Sequence, residues 1–154
     1  MGYIYAVFYS LGYRDKYLEF LKIDFPRVPF VDNEKIFKEL SKLGMELIEH
    51  HLMKKSYPEN HVTFPVDGTD MVGNVKFEKG RAYINTAQYF DNVPSNVWEF
   101  HIGGYQVLDK WLKSRKDRTL SYEEKETFTK IVNILDFTIE QMGKIDEVMK
   151  KVMN

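Results

Sequence analysis

Apolar residues at helical spacing begin and end the chain, and a stretch of strand-like alternation lies between them. Residues 3–10 form an apolar run that Gly12 interrupts, and residues 13–21 resume it with apolar positions three and four apart. This spacing predicts two short helices, the second beginning near Gly12. Residues 23–30 place two prolines around Arg27, and proline removes a backbone donor and forces its predecessor into extended geometry. We therefore expect a fixed extended connector that presents Arg27 rigidly.

A longer helix is predicted from Asp32 to about Met53. Aspartate accepts hydrogen bonds from the first amides of a helix, so Asp32 is the predicted N-cap. The apolar positions that follow the helical spacing are Ile36, Phe37, Leu40, Leu43, Leu47, Ile48 and Leu52. Gly44 lies inside this helix, where glycine costs about 1 kcal/mol relative to alanine. A glycine at this position permits a close contact with another element.

From Tyr57 onward the period shortens, and apolar and polar residues alternate as they do in strands. The alternating runs are residues 62–66, 74–78 and 81–86. The last two runs flank Lys79 and Gly80, which predict the turn of a hairpin. The pattern indicates a small antiparallel sheet of about three strands, and residues 88–90 are a candidate for a further edge piece.

Helical spacing returns after the strands. Pro94 begins a short turn or helix that carries Trp98, and the pair Gly103 and Gly104 precedes a helix predicted over about residues 105–114. Amides exposed at a helix N-terminus bind phosphate, and glycine allows the backbone to approach closely. Two glycines are a weak signal, however, and a simple tight turn is the more ordinary explanation of the pair.

A last, long helix is predicted from Ser121. Ser121 and Glu124 have the spacing of a capping box, and apolar positions at helical intervals continue to Val152. A helix of this length is about 45 Å long, more than one small domain covers, so we expect its end to pack on another domain or a second copy. The predicted class is α+β, with a helical N-terminal segment, a small antiparallel sheet of about three strands, and C-terminal helices including one long helix.

Composition restricts the function classes. With 154 residues, 44% hydrophobic and 15% aromatic, the chain is expected to fold around a core as one domain, residues 1–154. The formal net charge of −1 means that any nucleic-acid binding rests on a local patch. The absence of cysteine excludes disulfides, thiolate chemistry and Cys-based zinc sites, and it fits a reducing intracellular compartment. No apolar run approaches the roughly 20 residues of a membrane span.

Candidate catalytic groups have ordinary structural explanations. His50 and His51 are adjacent, so on a helix they point about 100° apart and do not share a metal ion. Asp67 and Asp70 flank a glycine, and paired carboxylates hold magnesium or act as acid and base, but an Asp-Gly turn explains them too. The sequence has no phosphate-binding loop, nucleophile elbow or dinucleotide fingerprint. We therefore predict no catalytic site and no metal site in this chain.

A basic segment is the main candidate for ligand binding. It contains five cations within nine residues, which are Lys110, Lys113, Arg115, Lys116 and Arg118. Such a segment can follow a nucleic-acid backbone, or it can be a solvated helix end whose cations favour the helix dipole. Tyr105 and Gln106, at the start of the predicted helix, could stack on bases or read them, and Tyr105 is equally compatible with a core position.

The segment HIGGYQVLDKWLKSRKDRTLS, residues 101–121, resembles the C-terminal region of the type ISP restriction–modification enzymes. The likeness extends along the chain in the family's order. GYIYAVFYSLGYRDKYLEFLKIDFPRVPF resembles the segment that joins the methyltransferase core to the recognition domain, VKFEKGRAYINTAQYFDNVPSNVWEFHIGGYQ the central hairpin, and SYEEKETFTKIVNILDFTIEQMGKID the terminal helix. One departure is Asp117, which precedes Arg118 where a glycine would be expected.

The resemblance implies a fragment of a larger polypeptide. In this family a nuclease and a helicase-like ATPase precede an adenine-specific DNA methyltransferase and a C-terminal target-recognition domain. Residues 1–30 would be the joining segment. The domain would hold duplex DNA while the methyltransferase acts on a flipped adenine. The methyltransferase's cofactor and catalytic motifs are absent, so the fragment would be inactive and hold no cofactor, while the cytoplasmic parent would use S-adenosylmethionine, ATP and Mg²⁺.

Nine residues are predicted to contact DNA under this hypothesis. They are Arg14, Arg27, Tyr105, Gln106, Lys110, Lys113, Arg115, Lys116 and Arg118. The alternative is a structural brace that couples the methyltransferase to the ATPase without reading bases, and the net charge and the aromatic helices favour it. A positive groove containing residues 115–118 would favour recognition, whereas cations scattered over an acidic surface would favour the brace.

Overall fold

In the computed structural model of the chain, which describes residues 1–55 and 61–153, helices occupy both ends and strands the middle. The helices among these residues are α1 (Gly2–Tyr9), α2 (Leu11–Lys16), α3 (Leu18–Ile23), α4 (Glu34–His51), α5 (Ser95–Trp98), α6 (Val107–Lys113) and α7 (Tyr122–Met153). The strands are β1 (Lys76–Glu78), β2 (Arg81–Tyr83), β3 (Tyr89–Phe90), β4 (His101–Ile102) and β5 (Tyr105–Gln106). The predicted α+β class is confirmed. The change of period predicted at Tyr57 lies outside the described residues.

The chain forms two compact units. The first unit contains residues 1–56 and 137–154, and the second contains residues 57–136. Helix α7 begins in the second unit and ends in the first. The assignment of residues 1–154 to one domain, with residues 1–30 as a joining segment, stays a prediction.

The first unit is built on the crossing of α1 and α4. The buried apolar side chains include Ala6 and Val7 of α1, Leu40 and Leu47 of α4, and Ile145 of α7. The C-terminal half of α7 therefore packs in the core of this unit, and the expected contact of its end with another domain or a second copy stays a prediction.

Gly2 and Gly44 set how closely α1 and α4 approach. A Cβ atom on Gly44 would fall well under 3.0 Å from the Gly2 carbonyl, and one on Gly2 would overlap the Ser41 carbonyl. Main-chain atoms of the two helices are therefore in direct contact, and the close contact predicted for Gly44 is confirmed.

The N-cap of α4 is Asn33, and the prediction of Asp32 is wrong. The Asn33 side chain accepts hydrogen bonds from the amides of Lys35 and Ile36, at 3.0 and 3.3 Å. Asparagine and aspartate cap equally well, so two adjacent candidates leave the first residue of the helix undecided by sequence.

The N-terminal segment forms three short helices where two were predicted. The Ser10 hydroxyl accepts a hydrogen bond from the Tyr13 amide at 3.1 Å, so α2 begins at Leu11 rather than at Gly12. The connector that follows α3 has neither helix nor strand. The hydroxyl of Tyr13 donates to the Arg27 carbonyl at 2.7 Å, which fixes the connector at its middle.

The second unit contains the three-stranded antiparallel sheet, in the order β1-β2-β3. Lys79 and Gly80 form the predicted turn, and both have positive φ, at 50° and 77°. This is the geometry of the tight two-residue hairpin turns. The strand predicted over residues 62–66 is not formed. In its place the structure has an isolated antiparallel bridge between Thr63 and Asp91. The other two predicted strands are shorter than expected, and the edge piece is present as β3.

The core of the second unit is aromatic on one side. The Phe90 ring of β3 stacks on the Phe128 ring of α7, with 4.1 Å between the ring centres. The fully buried aliphatic side chains of this core include Ile84, Leu108 and Leu112. This core positions α6, the segment predicted to carry the binding site.

Candidate nucleic-acid interface

Residues 101–106 form a β-hairpin where the sequence predicted the start of a helix. Strands β4 and β5 pair antiparallel, and α6 begins only at Val107. Gly103 has a φ of 60°, which turns the chain back and interrupts helical geometry. The glycine pair is thus the tip of a hairpin, and the predicted helix N-terminus at this position is wrong. The tight turn that the sequence also offered for the glycine pair is present, and the alternative of phosphate binding at a helix N-terminus has no such terminus at this position.

The hairpin is exposed along its tip. Ile102 and Tyr105 are paired across the two strands, with 47% and 61% of their surfaces exposed. No atom of the part of the chain that the structure describes lies within 4 Å of a Cβ atom built on Gly103 or Gly104. The tip therefore presents an aliphatic side chain, a tyrosine and bare backbone to solvent.

The base of the hairpin is firmly held. The Gln106 side-chain amide donates to the Trp98 carbonyl at 2.6 Å, and the Val107 amide donates to the Phe100 carbonyl at 3.2 Å. The Lys110 ammonium lies 3.1 Å from the centre of the Tyr105 ring. Gln106 was predicted to contact bases, but its side-chain amide donates to the main chain of the same unit.

Arg115 is held by the fold on several sides. Its guanidinium lies 3.6 Å from the centre of the Trp111 ring and donates to the Trp111 carbonyl at 2.9 Å. A further hydrogen bond reaches the Glu124 carboxylate at 3.2 Å, and only 22% of the Arg115 side chain is exposed. Any contact of this guanidinium with a ligand would compete with these interactions.

Glu124 is the common acceptor at the start of α7. One carboxylate oxygen accepts from Arg115 and from Arg118, the latter at 3.1 Å, and the other accepts from the Ser121 amide at 3.1 Å. The Glu124 amide donates to the Ser121 hydroxyl oxygen at 3.1 Å, which confirms the predicted capping box. The Ser121 amide, and then the two guanidinium groups, lower the pKa of Glu124.

The loop between α6 and α7 closes against residues 71 and 72. The Asp117 amide donates to the Val72 carbonyl at 2.8 Å, and the Val72 amide donates to the Arg118 carbonyl at 2.9 Å. Asp117 has a φ of 63°, in the left-handed region that favours glycine. The departure from the family pattern therefore falls at a position where glycine would be unstrained, and aspartate is among the few residues that also accept this geometry.

The three lysines of the segment differ in their surroundings. Lys113 pairs with Asp109 at 2.8 Å, whereas Lys116 is exposed and makes no ion pair within residues 1–55 and 61–153. The Lys110 ammonium lies over the Tyr105 ring and makes no ion pair among those residues. Three of the five predicted cations thus face carboxylates of the chain, and Lys110 and Lys116 do not.

Arg14 and Arg27 lie in the first unit, apart in sequence from the other seven predicted contacts, which share the second unit. The Arg14 side chain donates to the Phe8 carbonyl and lies 5.2 Å from the centre of the Tyr9 ring. The Arg27 side chain is 91% exposed and lies 3.6 Å from Asp24. The assignment of all nine residues to DNA stays a prediction.

Two of the other titratable candidates, Asp70 and His51, are engaged within the fold. Asp70 pairs with Lys125 at 2.7 Å, and the hydrogen bond from Lys125 lowers the Asp70 pKa. This pair lines a cavity of about 470 Å³ in the second unit. His51 contacts the Tyr5 hydroxyl at 2.6 Å and the Thr138 hydroxyl at 2.8 Å, and burial lowers the His51 pKa.

Neither a cluster of metal-ligating side chains nor a membrane-spanning helix is present among the described residues. No group of three or more His, Cys, Asp or Glu residues within 1–55 and 61–153 could hold a metal ion. None of the helices in this part of the chain is long and apolar enough to cross a membrane.

Two exposed residues of the hairpin, His101 and Ile102, were not among the predicted contacts. The imidazole Nδ1 of His101 shares a hydrogen bond of 2.6 Å with the Glu99 carbonyl, so Nδ1 carries the proton. The glycine pair is the sequence signal that could have identified these two residues. Glycine readily adopts the positive φ of a tight turn, so a glycine pair between two short runs is typical of a hairpin.

Three solved structures are similar to this chain. The ATP-dependent Type ISP restriction-modification enzyme LlaBIII bound to DNA has 20% identity and a TM-score of 0.68 over 96% of this chain. A nuclease-deletion mutant of the Type ISP restriction-modification enzyme LlaGI in complex with a DNA substrate mimic has 21% identity and a TM-score of 0.63 over 97%. The DrdV–DNA complex has 19% identity and a TM-score of 0.69 over 95%.

This chain spans only 11%, 13% and 17% of the length of those three chains. No curated protein matches the sequence. At such identities the structures establish likeness of fold. A model of the Type ISP C-terminal specificity domain family matches residues 1–144, nearly the whole sequence. The resemblance noted in the sequence is thereby confirmed, and the chain belongs to the Type ISP C-terminal specificity domain family.

Proposed function

We propose that this chain is the DNA target-recognition domain of a restriction–modification enzyme and positions duplex DNA for an adenine methyltransferase elsewhere in the parent chain. The observation that carries the proposal is the match of the specificity-domain family over residues 1–144. The three similar solved structures contain DNA or a DNA substrate mimic. In each of them the protein chain is much longer than this one.

The parent activity follows from the same proposal. The parent chain would carry the nuclease, the ATPase and the methyltransferase, and it would use S-adenosylmethionine, ATP and Mg²⁺ in the cytoplasm. This chain would do no chemistry itself. It would supply cations for phosphates, which fix the register, and side chains for base edges, which specify the sequence.

The site supports phosphate contact by a small set of cations. Lys110 and Lys116 are the lysines of the basic segment that face no carboxylate within residues 1–55 and 61–153. Each phosphate neutralised by such a cation releases a condensed counterion, so the affinity would fall as the salt concentration rises.

Domain exchange tests the proposal. This chain replaces the specificity domain of a complete Type ISP enzyme, and the positions of N6-methyladenine are mapped on a plasmid library. Recognition predicts that the methylated sequence changes with the exchange. An unchanged target with reduced activity would instead support the brace. Return of the parental domain is the control for expression and cofactor supply.

A second candidate function, the structural brace, is supported by an exposed apolar surface in the first unit. We give this name to four exposed apolar side chains that lie within eleven residues of sequence, Phe20, Ile23, Phe25 and Phe30, of which Phe25 and Phe30 are 89% and 90% exposed. Helix α3, which carries the first two, buries no residue at all. Such a patch is typical of a contact with another protein surface. We propose that it packs against the methyltransferase or ATPase domain, and recognition and bracing can coexist in one domain.

A further inference from the structure

We infer that the hairpin of β4 and β5 inserts its glycine tip into a groove of duplex DNA, where Ile102 and Tyr105 contact base edges. This inference rests on the proposed function and names the element that performs it. It also separates the hairpin from the arginines of the basic segment, which we assign to the fold.

The dimensions of the hairpin fit a DNA groove. The major groove is about 12 Å wide and admits a two-stranded β-ribbon. Paired strands lie about 4.8 Å apart. Gly103 and Gly104 bear no side chains, and a Cβ atom on either would touch nothing within 4 Å. Bare backbone at the tip can therefore approach base edges or a phosphate closely.

The side chains at the tip have the chemistry for bases. Ile102 and Tyr105 are cross-strand partners, so they stand side by side on one face of the ribbon. An aliphatic side chain suits the methyl group of thymine, and a tyrosine hydroxyl both donates and accepts hydrogen bonds. The Lys110 ammonium at the Tyr105 ring supplies a cation beside these groups.

The hairpin is ordered before any ligand arrives. Gln106 is tied to the Trp98 carbonyl and Val107 to the Phe100 carbonyl, and the Trp98 ring stacks on Phe77 at 5.0 Å. A contact element fixed in advance loses little conformational entropy on binding. The anchoring explains why Gln106, adjacent to the tip, contributes support rather than a base contact.

The arginines of the segment are poor candidates for the same task. Arg115 and Arg118 share one oxygen of Glu124, and Arg115 also stacks on Trp111. A phosphate would have to replace these partners, whereas it could approach Lys110 without displacing any carboxylate. An exposed Ile–Tyr pair could also dock on a protein, but the adjacent cation and the specificity-domain family favour DNA.

The test is an NMR titration of the ¹⁵N-labelled chain with a mixed-sequence 20-bp duplex at low salt, where weak phosphate-driven binding is measurable. The amide signals of Gly103, Gly104 and Tyr105 should shift first and most. If signals outside the hairpin shift while these three stay in place, the inference is overturned and the proposed function stands. If no signal shifts at any duplex concentration, both fall.

Variants separate the contributions by fluorescence anisotropy on the same duplex. The double substitution of Ile102→Ser and Tyr105→Ser should weaken binding about tenfold, the loss expected for base contacts, without changing the salt dependence. Lys110→Gln should lower the slope of log affinity against log salt by about 1, because one phosphate contact is lost. Tyr122→Ser, at another exposed tyrosine of the second unit, is the matched control and should be without effect.

Equal affinity of the double variant and the original chain would overturn the inference. All substituted side chains are exposed, and melting temperatures of the variants within about 2 °C of the original chain would verify that folding is intact.

Discussion

Gly44 and Asp117 illustrate how single positions in this chain are decided by the backbone. At Gly44 the neighbouring carbonyl of Gly2 leaves no room for a side chain. At Asp117 a left-handed φ of 63° excludes most residue types, and aspartate tolerates it at some cost. Sequence alone could flag Gly44 as a close-contact position and Asp117 as a departure from the family pattern. The partner of Gly44 and the closure of the exit loop depend on long-range contacts, which residue spacing does not encode.

We expect Gly44→Ala to lower the free energy of unfolding by about 3 kcal/mol, because the new methyl group forces α1 away from α4. Gly143→Ala is the matched control, since Gly143 also lies inside a helix but a Cβ atom there meets nothing within 4 Å. That substitution should be neutral or stabilise by up to about 1 kcal/mol through helix propensity. Urea unfolding of both variants measures the difference, and similar effects of the two would contradict the backbone contact.

His51 makes stability depend on pH. Burial, and then the charge of His50, lower the His51 pKa, so the folded state favours the neutral imidazole. In the unfolded state the pKa is about 6.5, so this state takes up the proton first as the pH falls. The stability from this group is therefore complete above pH 6.5 and falls as the pH decreases toward the pKa of the folded state. Carboxylates such as Asp70, whose pKa is lowered in the folded state, change the stability only at more acidic pH.

The measurement is the melting temperature between pH 7.5 and 5. We expect it to fall across this range in the original chain and to fall less in His51→Gln. An identical slope in His51→Gln would assign the pH dependence elsewhere.

Among the elements, the capping box of α7 was predictable and the hairpin before α6 was not. Serine and glutamate three residues apart form a local signal, and the hydrogen bonds of Ser121 and Glu124 confirm it. Gln106 and Val107 are compatible with a strand or a helix, and what fixes the strand is an anchor eight residues away, at Trp98. The helix was predicted two residues early for that reason.

Substitutions at Glu124 separate its two roles. Glutamine at this position can still accept the Ser121 amide, because a capping box works with Glu or Gln. Glu124→Gln should therefore cost only the ion pairs with Arg115 and Arg118, about 0.5 kcal/mol. Glu124→Ala also loses the cap, for a total of about 1.5 kcal/mol.

Urea unfolding at low and high salt provides the check for Glu124. High salt should narrow the gap between the original chain and Glu124→Gln, since it screens partly exposed charges. It should leave the further loss in Glu124→Ala intact. Equal losses in the two variants would mean that the carboxylate charge, rather than the cap, carries the whole effect.

At the scale of the whole molecule, the α+β class and the order of elements followed from periodicity, whereas the division into two units did not. The first unit joins α1 and α4 to the end of α7, more than 80 residues later in the chain. Local patterns do not encode such pairings. For the same reason, our sequence-based hypothesis treated the nine predicted DNA contacts as one set. Two of these residues belong to the first unit and seven to the second.

The exposed apolar surface of the first unit makes a prediction at this scale. Replacing Phe25 and Phe30 by serine should leave the stability of this chain within about 0.5 kcal/mol, because neither ring is buried. In a complete Type ISP enzyme that carries this domain, the double variant should reduce methylation activity and leave the methylated sequence unchanged, as expected for the loss of a brace. A clear loss of melting temperature would mean that these rings serve the first unit itself rather than a partner surface.

Gly2 and Gly44 bring main-chain atoms of two helices into direct contact. Where helices pack through side chains, the distance between their axes follows side-chain size and shifts when a residue is exchanged. Here the backbone itself sets the separation, so exchanges elsewhere along α1 change only its angle to α4. The contact between the two glycines is therefore a fixed point of the crossing. Substitutions in the surrounding apolar residues change the angle of the N-terminal helix but not its distance from α4 at this point.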